Sequence, residues 1–284
     1  MLTVLEAIKL ATEYFEKKEI ESPRINAEIL LSNVLKCKRL DLYLKFDQPL
    51  KESEVDLYRE YISRRGKYEP VQYIVGNTEF YGLVFKVDKT VLIPRPETEI
   101  LVETIINQNK EKNEISILDV GTGSGNIPVS LAKMLPRCKI TSIDISESAI
   151  EIAKQNAVSN NVNGNVTFIK QNIFDDPLHF DSKFNIIVSN PPYVDSNEYN
   201  NLQKEITDHE PRFAVTDDGD GLKYYRRICE VAKNILSGNG KLFFEMGKGQ
   251  TQDICSIMEV NGFSEIGIVK DYQQIERVIY GTKK

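Results

Sequence analysis

Ile115-Ser116-Ile117-Leu118-Asp119-Val120-Gly121-Thr122-Gly123-Ser124-Gly125 runs from an apolar, β-branched stretch into three alternate glycines, and helical spacing starts directly after Gly125. Strand, glycine turn and helix in that order begin a βαβ unit, because glycine permits a tight turn and lets backbone approach a ligand closely. Working outward, Lys139 to Asp144, Val166 to Lys170 and Phe184 to Ser189 read as further strands, with helical patterns after Gly125 and Ser146. Strand alternating with helix at this spacing predicts a parallel, doubly wound sheet, hence an α/β fold. A helix near Tyr224 to Leu236, a strand Lys241 to Met246, a helix from Gln250 to Asn261 and strands Phe263 to Val269 and Arg277 to Tyr280 complete the pattern.

A second stretch marks a site. Ile186-Ile187-Val188-Ser189-Asn190-Pro191-Pro192-Tyr193 is a buried-strand pattern that stops at an amide, two prolines and an aromatic ring. Neither proline can donate to a sheet ladder, and each disfavours helix at the residue before it, so Asn190 is held extended at the strand's carboxyl end. Open α/β sheets bind ligands at that end. An Asn side-chain oxygen and a proline carbonyl can each accept one N–H of a planar NH2 group, with Tyr193 packed on its flat face. Asn-Pro also marks ordinary turns, so the rest of the chain decides between the two readings.

Composition narrows the chemistry. The 284 residues carry 36 Lys and Arg against 42 Asp and Glu, a net charge of −6, which argues against broad electrostatic capture of nucleic acid. Cys37, Cys138, Cys229 and Cys255 are widely spaced, so neither a disulfide framework nor a zinc site is expected. His179 and His209 are the only histidines, too few for a His-based triad or a multi-histidine metal centre. No run of eighteen apolar residues occurs, and Glu6, Glu13 and Glu16 stand where a signal peptide would be basic and then apolar. The expectation is a cytosolic protein, not membrane-bound and monomeric.

Before the α/β pattern comes a helical region. Thr3 and Glu6 form a capping-box pattern, with Leu5, Ile8, Ala11, Thr12 and Phe15 at helical spacing. Ser22-Pro23 reads as an N-cap and first-turn proline before Ala27, Leu30, Leu31, Val34 and Leu35. A short apolar segment, Leu40 to Leu44, and a helix from Lys51 to Arg65 stopped by Gly66 follow, with Arg64, Arg65 and Lys67 as a solvated helix end. Glu79 to Val87 reads as a small hairpin packed by Phe80, Tyr81 and Phe85. The expected division is a helical domain over 1–75, a linking hairpin over 76–92 and an α/β domain over 93–284. Leu92 to Glu99 then leads into a helix with Ile100, Leu101, Thr104 and Ile105 on its apolar side.

The glycine turn Gly121-Thr122-Gly123-Ser124-Gly125 has Asn126 where a dinucleotide fingerprint would prefer glycine. The next strand ends in Asp144, whose carboxylate can accept both hydroxyls of a ribose, and Asn172 and Ile173 follow the strand after that. With Asn190 to Tyr193, the series resembles the S-adenosylmethionine site of class I methyltransferases. In this reading Asp119 supports the loop by hydrogen bonds or touches the cofactor.

The chain as a whole resembles the release-factor glutamine methyltransferases of the HemK/PrmC family. The resemblance rests on the helical N-terminal region, Pro70 to Gly76, Phe80-Tyr81-Gly82, Leu92 to Glu99, the glycine turn, Asn190 to Val194, Glu210-Pro211, Gly219 to Leu222 and Glu245-Met246-Gly247. It implies a seven-stranded, mostly parallel sheet and S-adenosylmethionine as cofactor. It also implies peptide-chain release factors as partners, methylated on the side-chain nitrogen of the glutamine in their Gly-Gly-Gln loop. It assigns Gly121, Thr122, Gly123, Ser124, Gly125, Asp144, Asn172, Ile173 and Asn190 to the cofactor. Asn190, Pro191, Pro192 and Tyr193 are assigned to catalysis and, with Arg95 and Glu97, to substrate. Residues alone reach only methylation of a planar nitrogen. A ribosomal-protein glutamine, a DNA aminobase and a non-catalytic ribosome-associated role stay open, though base flipping calls for positive charge this chain lacks. Ile173 departs from the aromatic residue of some family members.

Overall fold

The computed structural model describes residues 2–112, 114–178, 180 and 182–284. His179 lies outside them. The chain divides into two compact units. One comprises the chain up to Asn77 together with Gln203–His209, and the other Thr78–Leu202 with Glu210–Lys284.

The first unit is helical. Its elements are α1 (Val4–Lys17), α2 (Pro23–Val34), α3 (Asp41–Leu44), α4 (Glu52–Arg65) and α5 (Val71–Val75). The capping box forms as its residues predict, with Thr3 and Glu6 bonding each other's backbone N–H. The stripe it opens is Val4, Ala7, Ile8, Ala11 and Phe15. Leu5, expected inside, is 51% exposed, because the apolar arc is turned one residue toward Val4. Ser22 makes no side-chain cap. It sits at φ +50, and its carbonyl accepts from Asn26 Nδ2. Gly66 closes α4 in ordinary helical backbone, and a Cβ there would come within 2.5 Å of the Tyr14 hydroxyl, so close packing explains the glycine better than a left-handed cap does.

Arg65 corrects the expected solvated helix end. It is buried, donating from Nε to Asn26 Oδ1 (2.8 Å) and from Nη2 to Glu205 Oε1 (2.7 Å). A buried charge needs such partners, and this one is 140 residues away in sequence.

The second unit opens at Thr78, within the hairpin β1 (Asn77–Phe80) and β2 (Leu83–Lys86), whose Phe80 and Phe85 are fully buried and meet edge-on at 6.0 Å. Then come α6 (Pro96–Asn109), β3 (Ile115–Val120), α7 (Asn126–Met134), β4 (Cys138–Asp144), α8 (Glu147–Ser159), β5 (Val166–Lys170) and β6 (Phe184–Ser189). The short helices α9 (Ser196–Tyr199), α10 (Lys204–His209, in the first unit) and α11 (Arg212–Val215) follow. The chain ends with α12 (Lys223–Ile235), β7 (Leu236–Glu245), α13 (Thr251–Val260), β8 (Phe263–Lys270) and β9 (Glu276–Lys283). On α6 the buried stripe is Thr98, Leu101, Val102 and Ile105, so Ile100 and Thr104 sit at its margin.

The seven strands run in the order β5-β4-β3-β6-β7-β9-β8, parallel except for β9. Alternation sorts each strand onto two faces. Ile117, Ile186, Val188 and Phe243 pack with Leu101 and Ile105 of α6 and Val129 of α7. Leu118, Ile187, Leu242 and Phe244 pack with Tyr225 of α12 and Ile254 of α13. Because both faces are covered, the central strands are nearly continuous hydrophobic runs. No described helix is long and apolar enough to cross a membrane.

Candidate functional site

Chain order reverses beside β3: β4 and β5 lie to one side and β6 to the other. Two neighbouring connections diverge at such a point and leave a crevice at the strands' carboxyl ends. Here the crevice is a cavity of about 940 Å3, counting the space at its mouth.

The glycine turn forms one wall. Gly121, Gly123 and Gly125 have φ of +87, +54 and +80, values that other residues reach only with strain. The N–H groups of Gly121 and Thr122 both donate to the Ile143 carbonyl, tying the turn to β4. A Cβ on Gly125 would stand 3.0 Å from Ala153 Cβ, so the third glycine serves packing of α7 against α8.

Asp119 works from beneath. Ser142 Oγ donates to its Oδ2 (2.5 Å) and shares a 2.5 Å hydrogen bond with Thr122 Oγ1. Fully buried and absent from the cavity wall, Asp119 supports the turn, and burial pushes its carboxyl up to about 7.

Asp144 lines the cavity where β4 ends. Its Oδ2 accepts from Gly123 N (2.9 Å) and its Oδ1 from Ser146 N (2.8 Å). Burial raises its pKa against these backbone N–H groups. Each oxygen keeps a lone pair, so the carboxylate can still accept two hydroxyls. Asn172 and Ile173 also line the cavity, Asn172 through a loop in which its Oδ1 accepts from Phe174 N (3.0 Å). Ile173 is an aliphatic wall, and Tyr224, not singled out from sequence, supplies an aromatic one. Glycine backbone, paired acceptors on Asp144 and a flat aliphatic and aromatic slot fit the phosphate-free nucleoside and amino-acid portions of S-adenosylmethionine.

Asn190, Pro191 and Pro192 stand on the facing wall with Arg95. Asn190 Nδ2 donates to Thr98 Oγ1 (3.2 Å), which leaves Oδ1 as the group available to a donor. Arg95 is fixed by Glu210, Nη2 to Oε1 at 2.5 Å. Burial raises the Glu210 pKa against that guanidinium. Three expected site residues stand apart from the cavity wall: Gly125, which packs against Ala153, Tyr193 and Glu97. Tyr193 turns to the core, its hydroxyl 3.4 Å from Glu245 Oε1, and Glu97 is half-buried on the first turn of α6. The double proline carries the chain past the strand end, which gives Asn190 and Tyr193 different surroundings.

Sequence reasoning missed Thr98 and Glu245. The signal for Glu245 was present: a carboxylate closing the apolar run Leu242-Phe243-Phe244 has to be buried. The described residues contain no group of three or more His, Cys, Asp or Glu placed to hold a metal ion.

The family described as "PrmC N-terminal domain" matches residues 6–76, and one described as "Methyltransferase domain" matches residues 111–242. A protein of Fusobacterium nucleatum named "Release factor glutamine methyltransferase" is 41% identical over 98% of this chain and 78% of its own length. One of the same name from Rhodopirellula baltica is 38% identical over 98% and 95%. Among solved structures, a methyltransferase from Pyrococcus furiosus aligns with a TM-score of 0.54 at 20% identity, over 72% of this chain and 90% of that one, a likeness of fold.

Proposed function

This chain belongs to the release factor glutamine methyltransferases, and from that premise we propose that it transfers the methyl group of S-adenosylmethionine to the side-chain amide nitrogen of the Gly-Gly-Gln glutamine of peptide-chain release factors. The observation that carries the acceptor half is the Asn190 amide, whose Nδ2 is committed to Thr98 while Oδ1 remains for a substrate N–H.

Bound S-adenosylmethionine supplies an electrophilic methyl on a positively charged sulfur. The glycine turn would hold it by backbone approach, Asp144 by accepting from the ribose, and Ile173 with Tyr224 by enclosing the adenine; all of these elements line the cavity. An amide nitrogen is a poor nucleophile because its lone pair is delocalised into the carbonyl. Asn190 Oδ1 and the Pro191 carbonyl each accept one of its N–H groups, which aims the lone pair and favours the positive charge that grows on nitrogen. With S-adenosylmethionine bound, its methyl carbon would be the electrophile to which these residues present the amide nitrogen; sulfur would keep the carbon–sulfur bonding pair, and one N–H proton would leave to water. Arg95, held by Glu210, bounds the acceptor side.

Incubation with labelled S-adenosylmethionine and a panel of release factor, ribosomal protein and duplex DNA tests the reading. Label on the release factor is expected. Label on DNA, or on none, overturns it.

The first unit is the proposed surface for the protein substrate. Leu40 (73%) and Leu44 (83%), expected from sequence as an apolar segment, are exposed beside Tyr43 and Phe46, and only Leu42 of α3 is buried. An apolar cluster left in water fits a macromolecular partner. Leu44→Ser with Phe46→Ser should raise KM for release factor by about tenfold, roughly the effect of one hot-spot side chain, with the affinity for S-adenosylmethionine unchanged. An unchanged KM would remove this surface from the contact.

A further inference from the structure

We propose that Thr98 and Glu245 are positioning residues that fix which end of the Asn190 side chain faces the substrate. The proposal rests on Asn190 Oδ1 being the acceptor for the glutamine amide.

The two ends of an Asn amide have nearly the same shape and opposite hydrogen-bonding character. With Oδ1 toward the cavity, Asn190 accepts from a substrate NH2. Turned over, it would present N–H to N–H and repel the group it has to hold. The rotamer is therefore a chemical choice, and it is made by what stands behind the amide.

Behind it is Thr98 Oγ1, 3.2 Å from Asn190 Nδ2 and 1% exposed. A hydroxyl can donate or accept, so on its own it would tolerate either amide orientation. Its ambiguity is removed by a neighbour able only to accept, and Glu245 is placed to be that neighbour. Strands β6 and β7 run parallel, with Ser189 paired to Phe244, so the next residues along, Asn190 just past β6 and Glu245 at the end of β7, stand side by side. The Thr98 hydroxyl stands close enough to the Glu245 carboxyl to favour its charged form, and the Tyr193 hydroxyl reaches the same carboxylate at Oε1 (3.4 Å). Given to an ionised carboxylate, the Thr98 proton leaves a lone pair for Asn190 Nδ2, and the chain of polarity ends with Oδ1 at the substrate. A protonated Glu245 can donate instead, and the Thr98 proton can then turn toward Asn190 and favour the wrong amide end.

Glu245 is 1% exposed, and its Oε2 makes no hydrogen bond among the described residues. Burial, with Glu97 adding to it, pushes its carboxyl up to about 7, against the Thr98 and Tyr193 hydroxyls and the Arg277 guanidinium, which lower it. The Tyr225 hydroxyl donates to the backbone carbonyl of Glu245, and Arg95 faces Tyr193. The carboxyl therefore changes charge within the range where the protein can be assayed.

The test measures kcat, KM and cofactor affinity with release factor as substrate for the wild type, Thr98→Val, Thr98→Ser and Glu245→Gln. Thr98→Val keeps shape and removes the hydroxyl. It should lower kcat about tenfold, the loss of one orienting hydrogen bond, with cofactor affinity unchanged, and Thr98→Ser should restore most of the loss. Wild-type kcat should rise with pH through about 7 as Glu245 ionises, and Glu245→Gln should flatten that limb. If Thr98→Val fails to fold, the Thr98→Ser and Glu245→Gln pH profiles still decide. Normal kcat in Thr98→Val, or a pH limb that Glu245→Gln leaves unchanged in size, overturns the inference; any part that remains belongs to Asp119, whose carboxyl lies in the same range. Asn190→Ala separates the two readings. A crippled Asn190→Ala beside a normal Thr98→Val rejects only the positioning role, whereas an active Asn190→Ala rejects the acceptor assignment itself.

Discussion

Asn190→Ala should lower kcat and kcat/KM together by about 10²–10³-fold, roughly 2.7–4 kcal/mol, the size of effect seen when one preorganised group facing a developing charge is removed. The variant leaves space for water beside Pro191, so the glutamine can still enter, and a rise in KM alone would mean that Asn190 only binds. The fold should hold, since Asn190 is half-buried and its hydrogen bond is to Thr98 at the cavity rim rather than in either core cluster. A release factor whose Gly-Gly-Gln glutamine is changed to asparagine is the matching change on the other side. Its amide, one methylene shorter, stops short of the methyl group, and a misplacement of about 1 Å can by itself cost about 10²-fold. Steady-state kinetics on both variants check the geometry. Near-normal kcat in Asn190→Ala, or efficient methylation of the asparagine, would show that the amide is aimed by other groups.

For Asp144→Ala the expectation is a loss of about 1.5–3 kcal/mol in cofactor binding, on the order of 10- to 150-fold in Kd, because a charge-assisted hydrogen bond to the ribose disappears. A second contribution adds to it. Asp144 Oδ2 is the acceptor for Gly123 N and Oδ1 for Ser146 N, so the carboxylate also holds the glycine turn and the entry to α8. Asp144→Asn separates the two. Its one remaining oxygen can accept one backbone N–H and one hydroxyl where the carboxylate accepts two of each, so it should lie between wild type and alanine. Calorimetric titration with S-adenosylmethionine measures each step. Equal affinity in wild type and Asp144→Ala would remove Asp144 from the ribose.

Local chemistry made much of this legible in advance. The strands, glycine turn and helices from Ile115 onward follow from apolar runs and from residues with special backbone freedom. Those signals act over a few neighbours and survive any tertiary context. The same holds for the Thr3 and Glu6 capping box and for the proline stop after Asn190. Periodicity was less exact about which apolar residues are inside, as Leu5 and Leu44 show, because an arc on a helix says nothing about how much of it a neighbour covers.

What the sequence by itself determined was the α/β order, the place of the cavity at the strand ends and the residues Gly121 to Ser124, Asp144, Asn172, Ile173 and Asn190 to Pro192 that line it. Tertiary structure alone decided the partners of charged and polar groups. Arg65 is buried because Glu205 arrives from far along the chain, Arg95 is aimed by Glu210, and Tyr193 leaves the cavity for Glu245. The Asn190 amide is oriented by a threonine 92 residues earlier. A hydrogen bond or ion pair depends on position to within a fraction of an ångström, and neighbours in sequence do not set which distant backbone will bring its partner there.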